Sequence, residues 1–294
     1  MNFDRSLDVE PGTLVRLSPL ISRVLAPNPG PFTFRGTGVY LVGAGTRVAV
    51  IDPGPALADH VACLKRALGP RQVSHILITH THRDHSPASA DLKAWSGAKT
   101  YGLPLAWREP ASPEEGTVDE AHDHDFMPDI TVQDGMRIEG DDFTLECVAT
   151  PGHTANHICY GLAQERALFS GDHVMGWSTS VIAPPDGDMG AYLASLEKLK
   201  ARGDKILYPT HGSPIANPEA WLGELITHRR MREAQIVAAL AQSPQNIQAL
   251  TQKLYPGIEP ALRPAAGQQI AAHLQHLQSS GRAVQENGRW RLTT

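Results

Sequence analysis

Short apolar runs bounded by glycine and proline alternate with one helical pattern through the first third of the chain. Residues 39–42 and 47–51 are β-branched, apolar runs separated by Gly-Ala-Gly, which predicts a β-hairpin. Apolar residues at helical spacing follow from Leu57 to Leu68, and Gly69-Pro70 ends that pattern. Residues 73–79 form an apolar run of strand length, which predicts a buried strand ending directly at a cluster of histidines.

The middle of the chain repeats this strand-rich pattern after an unusual interruption. A polar, acid-rich stretch from Arg108 to Asp129 is too long for an ordinary connection and is typical of a lid or mobile segment. Beyond it, the pattern predicts a hairpin, two strands, a helix and a last strand, over residues 137–148, 158–162, 167–169, 192–199 and 206–208.

After Pro218 the apolar residues keep helical spacing with no strand between them. They predict helices over residues 221–240, 247–250 and 270–277, followed by a hairpin over 283–292 that turns at Asn287-Gly288. Helices followed by a two-stranded ribbon are the order of elements in a winged helix. We therefore predict two domains, a larger one over residues 1–220 and a winged-helix-like one over residues 221–294.

Composition places the chain among ordinary globular proteins. Its 294 residues, 41% hydrophobic and 19% charged, suffice for a buried core and exclude a disordered, collagen-like or coiled-coil protein. No apolar run approaches the roughly 20 residues of a membrane helix, and the N-terminus shows no signal-peptide pattern, so no membrane partner is expected. Three cysteines, Cys63, Cys147 and Cys159, form no disulfide framework and favour a reducing, cytoplasmic setting.

Charge is distributed unevenly along the chain. The net charge is −5, yet residues 222–294 hold eight Lys/Arg and four Asp/Glu, a balance of +4 that leaves −9 for the rest. This balance fits either an ordinary solvated surface or a tail that meets an anionic partner such as single-stranded RNA. Trp290 and the apolar helices of the tail can equally serve packing or the formation of a homodimer.

The histidine cluster is the strongest chemical signal in the sequence. Residues 80–85, His-Thr-His-Arg-Asp-His, place three imidazoles and one carboxylate within six residues. Imidazole nitrogen and carboxylate oxygen are the ligands that zinc and similar divalent ions prefer. A loop that leaves a strand directs alternate residues to two sides, so this one segment can serve two ions.

Three further candidates, His153, Asp172 and His211, each follow a predicted strand and lie beside a glycine, where the backbone can turn sharply. Together with the first cluster they supply seven nitrogen and oxygen ligands, enough for two ions if one carboxylate is shared. His122 and His124 in the acidic stretch could bind metal by composition, but no predicted strand precedes them, and we leave them out of the site.

The motifs His-x-His-x-Asp-His, Gly-His-Thr, Gly-Asp and a late His-Gly resemble, over residues 14–215, those of the metallo-β-lactamase superfamily. This resemblance implies an α/β fold, a four-layer αββα sandwich with the metals at one edge of the two sheets, and makes residues 1–220 the catalytic domain. It also implies a ligand set: His80, His82 and His153 for the first ion, Asp84, His85 and His211 for the second, and Asp172 shared by both.

Residues 27–31, 36–43 and 170–179 are similar to the β-lactamase-like subgroup that carries a C-terminal winged helix. One branch of that subgroup is endoribonuclease. This chain has Gly38 where that branch usually has asparagine, and it carries the long acidic stretch. Both departures leave the substrate open.

The sequence therefore predicts a hydrolase with two divalent ions, with zinc expected and iron or manganese as alternatives. Asp84 is the candidate to orient the attacking water and to accept its proton. The expected target is an ester, thioester or lactone bond in a small molecule. The alternative is endonucleolytic cleavage of single-stranded RNA.

Overall fold

Two β-sheets form the centre of the molecule, and the computed structural model describes residues 1–105 and 122–293. The first sheet has seven strands in chain order: β1 Leu14–Arg16, β2 Ile21–Leu25, β3 Gly38–Val42, β4 Arg47–Ile51, β5 Gln72–Leu77, β6 Lys99–Gly102 and β7 Ile130–Thr131. Strands β1 to β4 pair antiparallel, and β4 to β7 pair parallel. Two helices, α1 Ala58–Leu68 and α2 Ala88–Ser96, make the crossovers on either side of β5.

The second sheet has five strands in the spatial order β12-β11-β10-β9-β8. They are β8 Arg137–Glu139, β9 Thr144–Ala149, β10 Ile158–Leu162, β11 Ala167–Gly171 and β12 Ile206–Pro209. The parallel pair β11 and β12 is connected by helix α3, Met189–Arg202. The hairpin of β8 and β9 confirms the one predicted over residues 137–148.

The layers are fixed by three apolar cores. Side chains from both sheets, such as Tyr40, Tyr160 and Phe169, meet in the first core. The other face of the first sheet packs on α1 and α2, and the other face of the second sheet packs on α3. The chain therefore has the four-layer αββα sandwich that the resemblance implied.

Strand β3 shows why the apolar runs form inner strands. All five of its residues are buried, because one face of the sheet meets the other sheet and the opposite face meets the helices. A strand covered on both faces has no need of alternating polar residues. The predicted hairpin is confirmed by antiparallel pairing of β3 with β4, in which Tyr40 lies opposite Ile51.

The C-terminal part contains helices α4 Pro218–Leu240, α5 Ile247–Leu254 and α6 Arg263–Ser279, and a ribbon of β13 Ala283–Glu286 and β14 Arg289–Leu292. The ribbon turns at Asn287, where φ is 49°, as the Asn-Gly pair predicted. Leu222 and Ile226 of α4 pack on α3, whereas Ile236 and Leu240 belong to the core of the ribbon and the last helices. One helix thus enters two cores.

The predicted acidic stretch lies partly outside the described residues, which resume at His122. From there, the backbone N–H of Asp123 donates to the carbonyl of Thr81, and Ser86 Oγ donates to Asp123 Oδ2 at 2.7 Å. Residues 122–126 therefore pack against the histidine-rich loop. No helix in the described ranges is both long enough and apolar enough to cross a bilayer.

Candidate metal centre

Four loops meet at one edge of the sandwich, each at the carboxyl end of a strand. His80, His82, Asp84 and His85 follow β5, His153 follows β9, Asp172 follows β11 and His211 follows β12. Strands that run in the same direction bring their carboxyl ends to the same edge of a sheet. The structure therefore gathers all seven residues predicted from the sequence into one place.

These seven residues form three overlapping groups, and within each group the ligand atoms all lie within 4.8 Å of one another: His80 with His82 and His153, His80 with His85 and Asp172, and Asp84 with His85 and His211. Six of the seven are buried, and the side chain of Asp84 is 24% exposed. The grouping matches the two ligand sets implied by the resemblance. Asp172 connects the two sets, because it shares a group with His80 of the first set, and its Oδ2 atom lies 3.6 Å from His85 Nε2 of the second.

Hydrogen bonds fix which nitrogen three of the imidazoles present to the centre. His153 Nδ1 lies 2.6 Å from the carbonyl oxygen of Val181, and His211 Nδ1 lies 3.1 Å from that of Gly36. His85 Nδ1 lies 2.9 Å from Asp52 Oδ2. Because a carbonyl or carboxylate oxygen only accepts, each Nδ1 carries a hydrogen, and a ring that binds a metal ion must do so through Nε2.

Asp52 contacts the centre through His85, and the sequence analysis missed it. Its Oδ2 atom accepts from Thr79 Oγ1 at 2.7 Å and from Thr210 Oγ1 at 3.1 Å, besides its contact with His85. Its Oδ1 atom accepts from the backbone N–H of Thr79 at 2.8 Å. The carboxylate thus joins the loops after β4, β5 and β12 behind the imidazole of His85. The sequence signal for this contact was the position of Asp52 directly after β4. The Pro-Gly that follows is equally typical of a turn, so the signal was ambiguous.

Asp84 is held from the opposite side of the centre. Its Oδ2 atom accepts from Thr37 Oγ1 at 3.1 Å, and Thr37 Oγ1 in turn accepts from Asn28 Nδ2 at 3.0 Å. His211 Nε2 lies 3.1 Å from the same Oδ2 atom. The carboxylate is therefore oriented between the imidazole of His211 and the loop that precedes β3.

Two glycines allow the loops to approach this closely. Gly152, before His153, has φ of +142°, and a Cβ there would lie 2.3 Å from the Cα of Tyr192. Gly171, before Asp172, has φ of +53°, and a Cβ there would lie 2.5 Å from His157 Nε2. Neither the backbone conformation nor the space admits a larger residue.

The pKa values divide the centre into two halves. Burial and the neighbouring imidazoles lower the pKa of His80 and His82 well below the ordinary value, so both rings are neutral at pH 7. Burial also opposes a charge on His211, but the carboxylates of Asp172 and Asp84 outweigh it and raise the pKa to about 10. The half that contains the carboxylates therefore requires positive charge.

The donor set fits divalent metal ions. His153 Nε2 and Asp172 Oδ1 are buried and have no hydrogen-bond partner, which is costly unless another species binds them. His80 Nε2 and His82 Nδ1 lie only 2.8 Å apart, and ligand atoms of His80, His82 and His153 lie within 4.8 Å of one another. Imidazole and carboxylate ligands suit zinc, and they also suit iron and manganese.

Other histidines surround the seven. His122 lies against His82, with ring centroids 4.8 Å apart, and its Nε2 atom lies 3.3 Å from Asp186 Oδ2. The structure thus places His122 beside the centre, although it belongs to none of the three ligand groups. His157 and His173 are fully buried behind the centre, and His157 Nδ1 lies 2.8 Å from Thr150 Oγ1.

A cavity of about 400 Å³ opens onto the centre. Its lining includes four candidate ligands, His82, Asp84, Asp172 and His211, and the loop of residues 28–33. That loop is proline-rich and places Phe32 in the lining, and the exposed Arg83 also borders the cavity. The space joins a polar floor of candidate ligands to an apolar wall.

Residues 33–211 match the family model described as metallo-beta-lactamase superfamily, and residues 247–290 match the beta-lactamase associated winged helix domain. All seven candidate ligands fall inside the first match. The second match covers α5, α6 and most of the ribbon, in agreement with the winged helix predicted from the sequence. The matches leave α4 between them.

Two curated relatives show the same similarity over longer spans. The beta-lactamase-like protein 2 homolog of Caenorhabditis elegans is 33% identical over 93% of this chain and 88% of that protein. An atrochrysone carboxyl ACP thioesterase of Paecilomyces divaricatus is 34% identical over 76% of this chain and 66% of its own length.

A solved structure shares the whole fold. A metallo-beta-lactamase family protein from Thermus thermophilus superposes with a TM-score of 0.79 at 23% identity, over 95% of this chain and 100% of that one. Its similarity therefore extends through both the sandwich and the C-terminal part.

Proposed function

Because the chain belongs to the metallo-β-lactamase superfamily and is a hydrolase, we propose that it uses two divalent metal ions to hydrolyse an acyl thioester. The observation that carries this proposal is the overlap of the three ligand groups, since His80 and His85 each belong to two of them. Ligands that overlap in this way suit two neighbouring ions better than one. The thioesterase name of a 34% identical relative favours a thioester over the ester and lactone alternatives.

We assign His80, His82 and His153 to one ion, Asp84, His85 and His211 to the other, and Asp172 to both. Divalent ions in such a site supply a nucleophilic water at neutral pH and polarise the carbonyl under attack. Asp84, held by Thr37, is the catalytic residue that orients this water and accepts its proton. The proton then passes to the thiolate that leaves, so the products are a carboxylic acid and a thiol.

The cavity supports an acyl substrate. Pro29, Pro31 and Phe32 line the same cavity as the candidate ligands, and such apolar side chains accept an apolar acyl chain. The reacting carbonyl would then lie at the floor, next to Asp84 and Asp172. Arg83, exposed at the border of the cavity, provides a positive charge for an anionic part of the substrate.

A substrate panel tests the reaction. The purified, zinc-loaded chain is assayed with an acyl thioester, the matching oxygen ester, a lactone, a β-lactam and labelled single-stranded RNA. We expect the thioester to be turned over with the highest kcat/KM. Turnover of RNA or of the lactone with no turnover of the thioester would refute the proposed substrate.

Metal analysis tests the proposed pair of ions. At saturation we expect two ions per chain, and about one ion per chain in His153→Ala and in His211→Ala, because each variant removes a ligand from one ion only. His124→Ala, on the neighbouring segment, is the control and should retain two. A single ion per chain in the unsubstituted protein would contradict the dinuclear centre.

A further inference from the structure

The backbone carbonyl of Ser180 is held by two side chains from the C-terminal helices. Arg229 on α4 donates to it from Nη2 at 2.5 Å, and Gln269 on α6 donates from Nε2 at 3.2 Å. Arg229 Nη1 also donates to Gln269 Oε1 at 2.8 Å, so the two side chains orient each other. Ser180 itself belongs to the long loop between β11 and α3 that begins at Asp172.

This contact buries a positive charge. Arg229 is 2% exposed and Gln269 is 9% exposed, and the guanidinium lies 5.1 Å from the centre of the Tyr192 ring. Among the described residues, no carboxylate forms an ion pair with Arg229. Burial of an unpaired charge is costly, and an apolar side chain would fill the space more cheaply. Packing alone therefore does not explain an arginine at this position.

The next peptide group of the same loop contacts His153, a proposed metal ligand. The carbonyl of Val181 accepts from His153 Nδ1 at 2.6 Å, and Ser180 Oγ donates to the carbonyl of His173 at 2.9 Å. The carbonyls of Ser180 and Val181 belong to consecutive peptide groups. The C-terminal helices therefore hold one peptide, and the next peptide orients the imidazole of His153.

We propose that Arg229 and Gln269 are positioning residues for His153, through which the C-terminal domain helps to hold one of the two metal ions. The proposal rests on the proposed function insofar as that makes His153 a metal ligand. Without the two donors, the Ser180–Val181 segment is free to shift, and the His153 ring loses the acceptor that sets its tautomer and direction. Partners that orient metal ligands in this way commonly contribute 10- to 100-fold to metal affinity.

Competition with a chelator tests the proposal on the full, zinc-loaded chain. In Arg229→Met and Gln269→Leu we expect one ion to bind about 10-fold more weakly and the other to bind as in the unsubstituted protein. For the thioester, kcat should fall while KM changes little. Unchanged affinity for both ions in folded Gln269→Leu would overturn the proposal, and this variant decides the matter even if Arg229→Met does not fold.

Arg232 provides a matched control on the same helix. Its guanidinium lies 4.7 Å from the centre of the Tyr255 ring and donates to the carbonyl of Leu254 at 3.2 Å, away from the metal centre. Arg232→Met should retain the metal affinity of the unsubstituted protein. An equal loss in Arg232→Met would show that the effect is general destabilisation and would refute the positioning role.

A double-mutant cycle separates positioning from a merely structural role. In the His153→Ala background, Arg229→Met should cause no further loss of metal affinity, because the ligand that it positions is gone. An additional loss as large as in the unsubstituted background would overturn the proposal. Since metal affinity is measured without substrate, failure of the thioesterase assignment would leave this test unaffected.

Discussion

Asp84 contacts an imidazole of the centre on one side and the cavity on the other, which is the geometry of a residue that both binds an ion and moves a proton. We expect Asp84→Asn to lower kcat at least about 100-fold, the usual contribution of a positioned base. The affinity for one ion should fall as well, since an amide oxygen is a weaker ligand than a carboxylate. Because the side chain is partly exposed, the free energy of unfolding should change little.

Turnover, metal content and urea unfolding of Asp84→Asn check these three expectations together. Asp142→Asn is a suitable control, because Asp142 accepts from backbone amides of Ala44 and Gly45 in a loop outside the proposed centre. Full activity in Asp84→Asn would refute both proposed roles of the residue.

Asp52 acts on the centre through His85. Asp52→Asn replaces an acceptor with a group that also donates, so His85 loses the partner that keeps hydrogen on Nδ1. We expect the affinity for one ion to fall about 10- to 100-fold. Competition with a chelator measures this loss, again with Asp142→Asn as the control. Wild-type affinity in Asp52→Asn would mean that other contacts suffice to orient His85.

The ligands were predictable from sequence and Asp52 was not, for a physical reason. His80 to His85 form an unusual cluster, and the other three candidates each combine a strand end with a glycine. Asp52 shows only Asp-Pro-Gly, which is equally typical of a turn. Its partners Thr79, His85 and Thr210 lie 27, 33 and 158 residues away in the chain, so only the folded sheets reveal them.

Helices and strands were largely predictable where they bury apolar runs. The hairpin of β3 and β4, the strand β5 before the histidines and the C-terminal ribbon all occur as the pattern indicated. The domain boundary near residue 220 stays a prediction: it lies in the first turn of α4, and Leu222 and Ile226 beyond it still pack on α3. Sequence periodicity indicates which face of a helix is apolar but not which other elements that face contacts. The division of α4 between two cores could therefore not be predicted from the sequence.

Glu233 connects α4 to the ribbon. Its Oε1 atom lies 2.6 Å from Arg282 Nη1, and its Oε2 atom lies 3.9 Å from His273 Nδ1 and 3.7 Å from His276 Nε2. His273 and Arg282 hold the pKa of Glu233 at about 2, despite the burial that would raise it. Because folding lowers this pKa, the stabilisation is complete above the ordinary value of 4.5 and is lost as the pH falls towards 2.

We therefore expect Glu233→Gln to lower the free energy of unfolding by about 1–3 kcal/mol at pH 7. The difference from the unsubstituted protein should shrink as the pH falls from 5 to 3. Urea unfolding at these pH values measures it. Glu286→Gln is the control, since its pair with Arg291 is exposed and should leave stability unchanged. A pH-independent difference would contradict the ionic origin of the effect.

Across the whole molecule, the proposed metal ligands and the excess of basic residues lie in different parts of the chain. Every proposed metal ligand lies at or before His211, whereas the excess of basic residues lies in residues 222–294. The structure nevertheless joins the two parts, because α4 packs on the sandwich and Arg229 reaches the loop beside His153. The C-terminal part is thus placed to influence the centre from behind, without contributing a ligand.

The ribbon is poorly equipped to bind RNA, although the sequence left that possibility open. Arg282 and Arg291 are each paired with a glutamate at 2.6 Å, so within the described ranges Arg289 is the one arginine of the turn and its flanks without a carboxylate partner. An arginine already paired with a carboxylate neutralises a phosphate poorly and therefore displaces few counterions from RNA. We expect labelled single-stranded RNA to show no binding to the intact protein at low salt, measured by fluorescence anisotropy. Arg289→Ala combined with Arg291→Ala should leave thioester turnover unchanged. Binding at low salt that weakens steeply as salt is added, with a smaller slope in this double variant, would contradict the prediction and favour a nuclease.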